Sequence, residues 1–499
     1  LQLPRNTVDE CFDFIVSELK GAQNDGLLDD ASTDKVSGYG RIDKAIAQAF
    51  IIEALTYRAS WLFNGECNYY SDLANTDGTK LFPNKPDEAT KRANWQKVID
   101  ECNTFFSNYG SRYHLMYTNK DGVSVSGPDS EGFSPTESYR RAVRTLFSEM
   151  GNNKEMIFYR LDNAAGTMQY DRMPNRSGNT TNYRGGSLLG ATQEMVDAYF
   201  MSNGESPISG YSADGVTPII NEKSDYVEEG VSTTEYKGTD GTLYAPTGTR
   251  MMYVNREPRF YAAFTFQNRR WDLDDKLVYY TDFSLNGNSG QAKNGHDYPR
   301  SGVLVRKKRT NVSGVNYYVY IRLSEIYLNY AEACCELDDI GTAINYVNKI
   351  RLRAGIPEYK GLLAEDLTPT DKRGFERITL DSYDKEFVKK VIYRERLLEL
   401  SYENHHYFDV RRWGVADMAT GDGWIYPSWH NGGEGGDMVG FDVTVDMASD
   451  DAKDPLLFYK RKVWETRVYS KRMSLFPIPQ TEINRNARIV QNTGWETEV

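Results

Sequence analysis

No stretch of this chain stays apolar long enough to cross a bilayer. The best candidate, Ala45 to Tyr57, is interrupted by Gln48 and Glu53, whereas a spanning helix needs ~20 consecutive apolar residues. Basic residues are in deficit, with 59 Lys and Arg against 71 Asp and Glu for a net charge of −12. Nucleic acid, or electrostatic adhesion to an anionic membrane, would need clustered cations, and no basic patch stands out. Cysteine is scarce as well. The five, at 11, 67, 102, 334 and 335, are odd in number, scattered and without a Cys-x-x-Cys pair, so neither a disulfide framework nor a zinc site is expected. Gly185-Gly186 and the glycines of 432–436 lack the Lys-Ser/Thr of a phosphate loop, and there is no Ser-centred nucleophile elbow or Cys-His signature. No cofactor pattern is found. There is no signal peptide at Leu1. A secreted protein whose leader has been removed would look the same, so the compartment stays open.

Against these absences stand aromatics. The chain has 35 Tyr and 8 Trp, and 13% of its residues are aromatic; many sit among Gly, Asn and Asp rather than in apolar runs. Exposed rings beside polar side chains suit the C–H faces and hydroxyls of sugars, although a large core would absorb many of them. With 499 residues and 39% hydrophobic content, the chain has material for a sizeable core.

Periodicity predicts a mainly α fold of tetratricopeptide-like helical pairs packed against an irregular, loop-rich lobe with a few short strands. Val8, Cys11, Phe12, Ile15 and Leu19 form one apolar stripe, and Ile42, Ala45, Ile46, Ala49, Ile52 and Ala59 another. A third helix surrounds Trp95, Val98, Ile99, Cys102 and Phe106. Leu323 to Leu337 and Ala343 to Ala354 read as two helices joined by Asp338-Asp339-Ile340-Gly341 and stopped by Gly355-Ile356-Pro357. A further helix is expected from about Lys385 to Tyr402. The parts are then 1–109, N-terminal helical repeats; 110–315, an irregular ligand-binding lobe; 316–413, C-terminal helical repeats; and 414–499, a surface insertion with a closing extended segment, all in one compact unit. Strands are expected at Phe260 to Phe266, Leu277 to Tyr280 and Tyr317 to Ile321. Phe476-Pro477-Ile478-Pro479-Gln480 has to be extended, with Thr481 capping a helical turn after it, and reads as a strap laid across something already folded.

Glu395 and Glu399 lie four apart in one helical row. Glycoside hydrolysis uses two carboxylates about 5–9.5 Å apart, which such a pair meets. Arg394, Arg396, Arg411 and Arg412 are close in sequence, and the preferred reading is a structural ion pair. His405-His406 diverge by about 100° on a helix and do not share a metal. Asp29-Asp30 and Asp272-Asp274-Asp275 lack EF-hand spacing and read as solvated turns. Metal ligands are therefore not assigned. The ligand-binding candidates are loop aromatics: Trp271, Tyr279, Tyr280 and Tyr298 around Asn286, Asn288 and Asn294; Trp424, Tyr426 and Trp429; and Tyr183 with Arg184 after Tyr170. Each also has a packing reading, as the anchor of its own loop.

Motifs along the whole chain resemble the SusD/RagB family, surface glycan-binding lipoproteins of Bacteroidetes nutrient-uptake systems. They are Gly40-Arg41 to Ala59 with Leu62-Phe63-Asn64-Gly65; Trp95 to Cys102; Thr192-Gln193-Glu194-Met195-Val196-Asp197; Arg256-Glu257-Pro258-Arg259-Phe260; Arg322-Leu323-Ser324-Glu325 to Glu332; Ala343 to Pro357 with Asn348 and Arg351; Arg394-Glu395-Arg396 to Trp413; and Phe476-Pro477-Ile478-Pro479. The resemblance implies a helical-repeat fold and a non-catalytic role. It implies capture of oligosaccharide or polysaccharide at the outer-membrane surface and delivery to a TonB-dependent barrel of the SusC type. It also implies a lipidated Cys, a linker and an opening helical region, and the chain reads as starting inside that pattern; Cys11, in an amphipathic helix, is not a lipid-attachment site. The readings from other classes are a helical glycoside hydrolase using Glu395 and a peptide- or protein-binding helical-repeat scaffold.

Overall fold

The computed structural model describes residues 2–33, 38, 40–146, 151–160, 170–175, 185–272, 278–308, 316–416, 434–447 and 457–496. Its helical layer starts from well-capped helices. In α1 (Val8–Asn24), Thr7 and Glu10 form a reciprocal capping box, which satisfies two orphan amides at once. Asp43 caps α2 (Lys44–Ala59) through the Ile46 amide, and Asp87 caps α3 (Glu88–Tyr109) through the Thr90 amide. After α4 (Pro135–Ala142) and the short α5 (Pro258–Ala263), the expected helical pair forms as α6 (Leu323–Glu336) and α7 (Ile340–Ala354). Asp338 at φ +69° turns the chain between them, and Gly355 at φ +83° ends α7 with the Ile356 amide returning to the Arg351 carbonyl. That conformation needs glycine twice over, because a Cβ there would lie 2.5 Å from the Pro135 ring. The layer closes with α8 (Lys385–Glu399) and α9 (His406–Arg412).

α1 packs on α2, α2 on α3, α3 on α6, and α6 on both α7 and α8. Their shared core holds Ile51, Ile52, Trp95, Val98, Leu323, Ile326, Val347 and Ile392, all buried. A second core joins the irregular lobe to the C-terminal part: Tyr199, Phe260, Phe264, Phe266, Val303, Leu398, Val410, Phe441 and Phe458 pack together. Phe441, Val443 and Phe458 thus lie in the interior, although 414–460 reads in sequence as a surface insertion. Their apolar side chains are used to cover the lobe.

Strands are few and short. Asn316–Arg322 is the centre of a three-stranded antiparallel sheet, flanked by Thr145–Leu146 and Met156–Arg160, and Arg270–Asp272 pairs with Val278–Tyr280 as a hairpin. The strand expected at Phe260 to Phe266 is mostly the helix α5, leaving only Phe264–Thr265 extended. Pro258 at the first helical position pre-sets the backbone for that turn. Residues 476–479 lie outside any helix or strand, with Pro479 at ψ 133°, but the helix after them runs from Gln480 to Arg485, so Gln480, expected to be extended, opens that helix and Thr481 sits inside it. The strap is held by the Asn492 amide on the Phe476 carbonyl at 2.8 Å and by Gln491, which bonds both the amide and the carbonyl of Ile478. None of the five cysteines forms a disulfide, and no described helix is long and apolar enough to cross a membrane.

Candidate ligand-binding site

Glu395 and Glu399 face inward from successive turns of α8, and both are fully buried. Their main partners are not the neighbouring arginines. Arg259 of α5 donates to Glu395 at 2.6 Å and to Glu399 at 3.2 Å while holding Glu257 at 2.7 Å. Glu399 also accepts from Arg322 at 2.7 Å and from Arg353. Those two arginines meet again on Glu155, at 2.7 and 2.5 Å, and Arg322 bonds Glu403 at 2.9 and 3.0 Å. The four arginines named in sequence have other duties. Arg396 and Arg412 each hold Asp409 at 2.8 Å, with Arg412 gripping Glu332; Arg394 bonds the Ala198 carbonyl, and Arg411 pairs with Glu434.

The electrostatics suit a scaffold. Burial alone would raise the Glu399 carboxyl, but Arg353, Arg322 and Arg259 outweigh it and hold it at about 2. Asp409 is likewise held at about 2, burial being overcome by Arg396 and Arg412. A glycosidase acid must keep its proton near neutral pH and reach the glycosidic oxygen. Glu399 does neither, and Glu395 is buried against Arg259. The structural ion-pair reading is the one this geometry supports.

A pH dependence follows from the two depressed carboxyls. Because their folded pKa values lie below the unfolded ones, the stability they confer is complete above about pH 4 and is lost as pH falls toward about 2. Urea unfolding midpoints measured across that range are expected to fall steeply. A flat profile would contradict the network.

His405 lies 3.8 Å from Glu325, and burial, reinforced by Arg396, holds its imidazole down at about 3, so it is neutral. Among the described residues no group of His, Cys, Asp or Glu is arranged to hold a metal. Asp29 pairs with Lys44 at 2.7 Å, and Asp30 caps Ser32 at 2.9 Å and pairs with Arg112 at 3.0 Å. Both lie in the irregular stretch between α1 and α2.

The loop aromatics separate by strand register. Trp271 and Tyr279 stand opposite each other in the hairpin and point to its inner face, where both pack against Met173. Trp271 is fully buried, with its indole N–H on Thr265 Oγ1 at 3.1 Å and the Arg306 guanidinium 4.7 Å above the ring. Neither ring presents a face to solvent, so the expectation of exposed platforms is not met at these two residues: alternation along a strand turns every second side chain inward. Tyr280, one residue on, is 45% exposed, and Tyr298 is half-buried against the lobe core. Tyr183, Arg184, Trp424, Tyr426 and Trp429 lie outside the described residues. The neighbouring amides build the loop itself. Asn286 bonds Asp446 at 2.5 Å, Asn288 bonds the Tyr280 carbonyl and the Asp282 amide, and Asn294 bonds the Gly290 carbonyl. Tyr280 and Tyr298 are therefore carried on a braced loop.

Sequence reasoning missed a cavity of about 750 Å³ between the lobe and the end of α7, lined by Phe133, Tyr236 and Phe375 among others. Trp271, Tyr279, Tyr280 and Tyr298 do not line it. The one local signal was an isolated Phe375 in the polar run Lys372-Arg373-Gly374-Phe375.

A helical-pair scaffold with a loop-built lobe, cemented by a buried arginine–carboxylate core, defines the class. The chain matches the SusD family over residues 154–495, more than half its length. It belongs to that family. SusD-like protein P25 of Formosa agariphila is 32% identical over 97 residues, which are 19% of this chain and 15% of that protein. The structure BT4246 is 22% identical with a TM-score of 0.68, covering 98% of this chain and 77% of that one. A SusD-like protein from Bacteroides fragilis NCTC 9343 is 22% identical with a TM-score of 0.63, covering 99% and 72%. These likenesses show the fold.

Proposed function

We propose that this protein binds oligosaccharide or polysaccharide without cleaving it, at the surface of a bacterial outer membrane. In this reading it hands the glycan to a TonB-dependent barrel of the SusC type and is held at the membrane by a lipid anchor. The observation that carries the reading is the SusD family match. The sealing of Glu395 and Glu399 behind arginines supports the absence of hydrolysis. The proposed glycan contacts are Tyr280 and Tyr298, whose braced loop offers aromatic surface at little ordering cost, together with Tyr183, Arg184, Trp424, Tyr426 and Trp429.

Calorimetric titration against a polysaccharide panel, with reducing-end release followed in parallel, tests this. Saccharide binding without release is expected. Tyr280→Ala is expected to weaken binding about five- to tenfold, the loss of one stacked ring, with an unchanged melting midpoint. Unchanged affinity in Tyr280→Ala and Tyr298→Ala would remove this loop from the site. Release abolished by Glu395→Gln in a folded protein would restore the hydrolase reading, and silence across the panel would favour the protein-binding scaffold. Co-purification with a SusC-like barrel checks the delivery step.

A further inference from the structure

We propose that the cavity beside Phe375 is a second, separate saccharide-binding site, suited to a neutral oligosaccharide. The inference rests on the glycan-binding reading above and adds a site to it. Its walls come from seven places in the chain: residues 128–135 leading into α4, 202–203, Asp225, the hairpin of Tyr236–Lys237 and Leu243–Ala245, the 255–258 turn leading into α5, Gly355 at the end of α7, and the 372–375 turn. Its volume, about 750 Å³, falls within the range of small-ligand clefts.

Phe375 is the platform. The ring is 38% exposed, yet its backbone is fixed. Asp371 Oδ1 accepts from the amides of Arg373 at 2.8 Å and Phe375 at 3.1 Å, the Asp371 amide donates to the Phe375 carbonyl at 2.8 Å, and Gly374 takes φ +83° to close the turn. Over one face of the ring, 4.4 Å from its centroid, lies the Arg373 guanidinium, which also lines the cavity and is pinned to the Ile356 carbonyl at 2.8 Å. A rigid ring with a cation over one face is ready to take the C–H face of a sugar on the other.

The polar groups around it match hydroxyls. Ser130, Ser202, Asn203, Thr239 and Asn255 line the cavity. Ser202 Oγ donates to Asn255 Oδ1, which orients the Asn255 amide and leaves its N–H groups without a protein acceptor among the described residues. Asn255 and Asp225 are both held in left-handed backbone, at φ +58° and +57°, where non-glycine residues are uncommon. Fixed charge nearly cancels. Asp129 and Asp225 face Lys237 and Lys372, and Arg373 is offset by Asp371 at 3.7 Å. A phosphate or acidic polymer would need a surplus of cations that this lining does not hold.

Hydrogen exchange and titration with malto-, xylo-, manno- and laminari-oligosaccharides test the proposal. Any probe that binds is expected to slow exchange in 236–239 and 371–375. Phe375→Ala is expected to weaken that protection about five- to tenfold in probe concentration, and Thr239→Trp, which adds a bulky ring to the lining, to abolish it; both positions are exposed, so the melting midpoint stays unchanged. Binding that protects only 279–298 and ignores both variants overturns the second site and leaves the glycan-binding reading intact. A protein that binds none of these probes or the polysaccharide panel overturns both. Loss of barrel co-purification in Thr239→Trp with saccharide protection unchanged would make the cavity a protein contact and overturn the proposal.

Discussion

Replacing Glu399 by Ala is expected to lower folding stability by about 3–5 kcal/mol, the scale seen when one member of a buried ion pair is removed. Glu399 is the junction of the network. It accepts from Arg259 and Arg322 at 3.2 and 2.7 Å and from Arg353, and all three guanidinium groups are buried. Without it Arg353 keeps one carboxylate partner among the described residues, Glu155, which it shares with Arg322 in a low-dielectric interior. Glu395→Ala is expected to cost distinctly less. Its close partner is Arg259, which keeps Glu257 and Glu399, and Arg351 stands 3.7 Å away. Urea midpoints for the two variants decide the matter, and Glu399→Gln is expected in addition to flatten the acid limb of the stability profile. A loss of less than about 1 kcal/mol in Glu399→Ala would show that the network is not under the strain of burial described here.

Trp271→Ala is expected to cost about 3–5 kcal/mol, as large-to-small aromatic substitutions in packed cores do. It opens a void beneath Arg306, removes the cation–π contact at 4.7 Å and deletes the indole hydrogen bond to Thr265. Tyr280→Ala, on the opposite face of the same hairpin, is expected to stay within about 0.5 kcal/mol of the parent. Thermal and urea unfolding of the pair, with saccharide titration of each, therefore separates packing from recognition. An unchanged midpoint in Trp271→Ala with lost saccharide affinity would return Trp271 to a stacking role.

The helical layer was legible because its signals are local. Thr7, Asp43, Asp87 and Asp384 cap their helices through the next few amides, and Gly355 stops α7 where the backbone turns left-handed. The inward row of Glu395 and Glu399 followed from the same 3.6-residue period. Their partners did not. Arg259 and Glu395 are 136 residues apart, and Arg353 and Glu155 are 198 apart, so only the folded chain brings them together. Phe260 to Phe266 misled because an aromatic run satisfies a strand pattern and a short buried helix equally, and Pro258 decided for the helix.

By itself the sequence determined the helical scaffold, its turns, the Phe-Pro-Ile-Pro strap and the family, all of which depend on near neighbours or on motifs kept in order. Tertiary structure alone decided which aromatic faces reach solvent. One hairpin register buries Trp271 and Tyr279 and exposes Tyr280, and six other segments of the chain meet the 372–375 turn to frame the cavity at Phe375. The physical reason is that burial is a property of packing, shared among residues far apart in the chain, whereas backbone propensity is settled within a few residues.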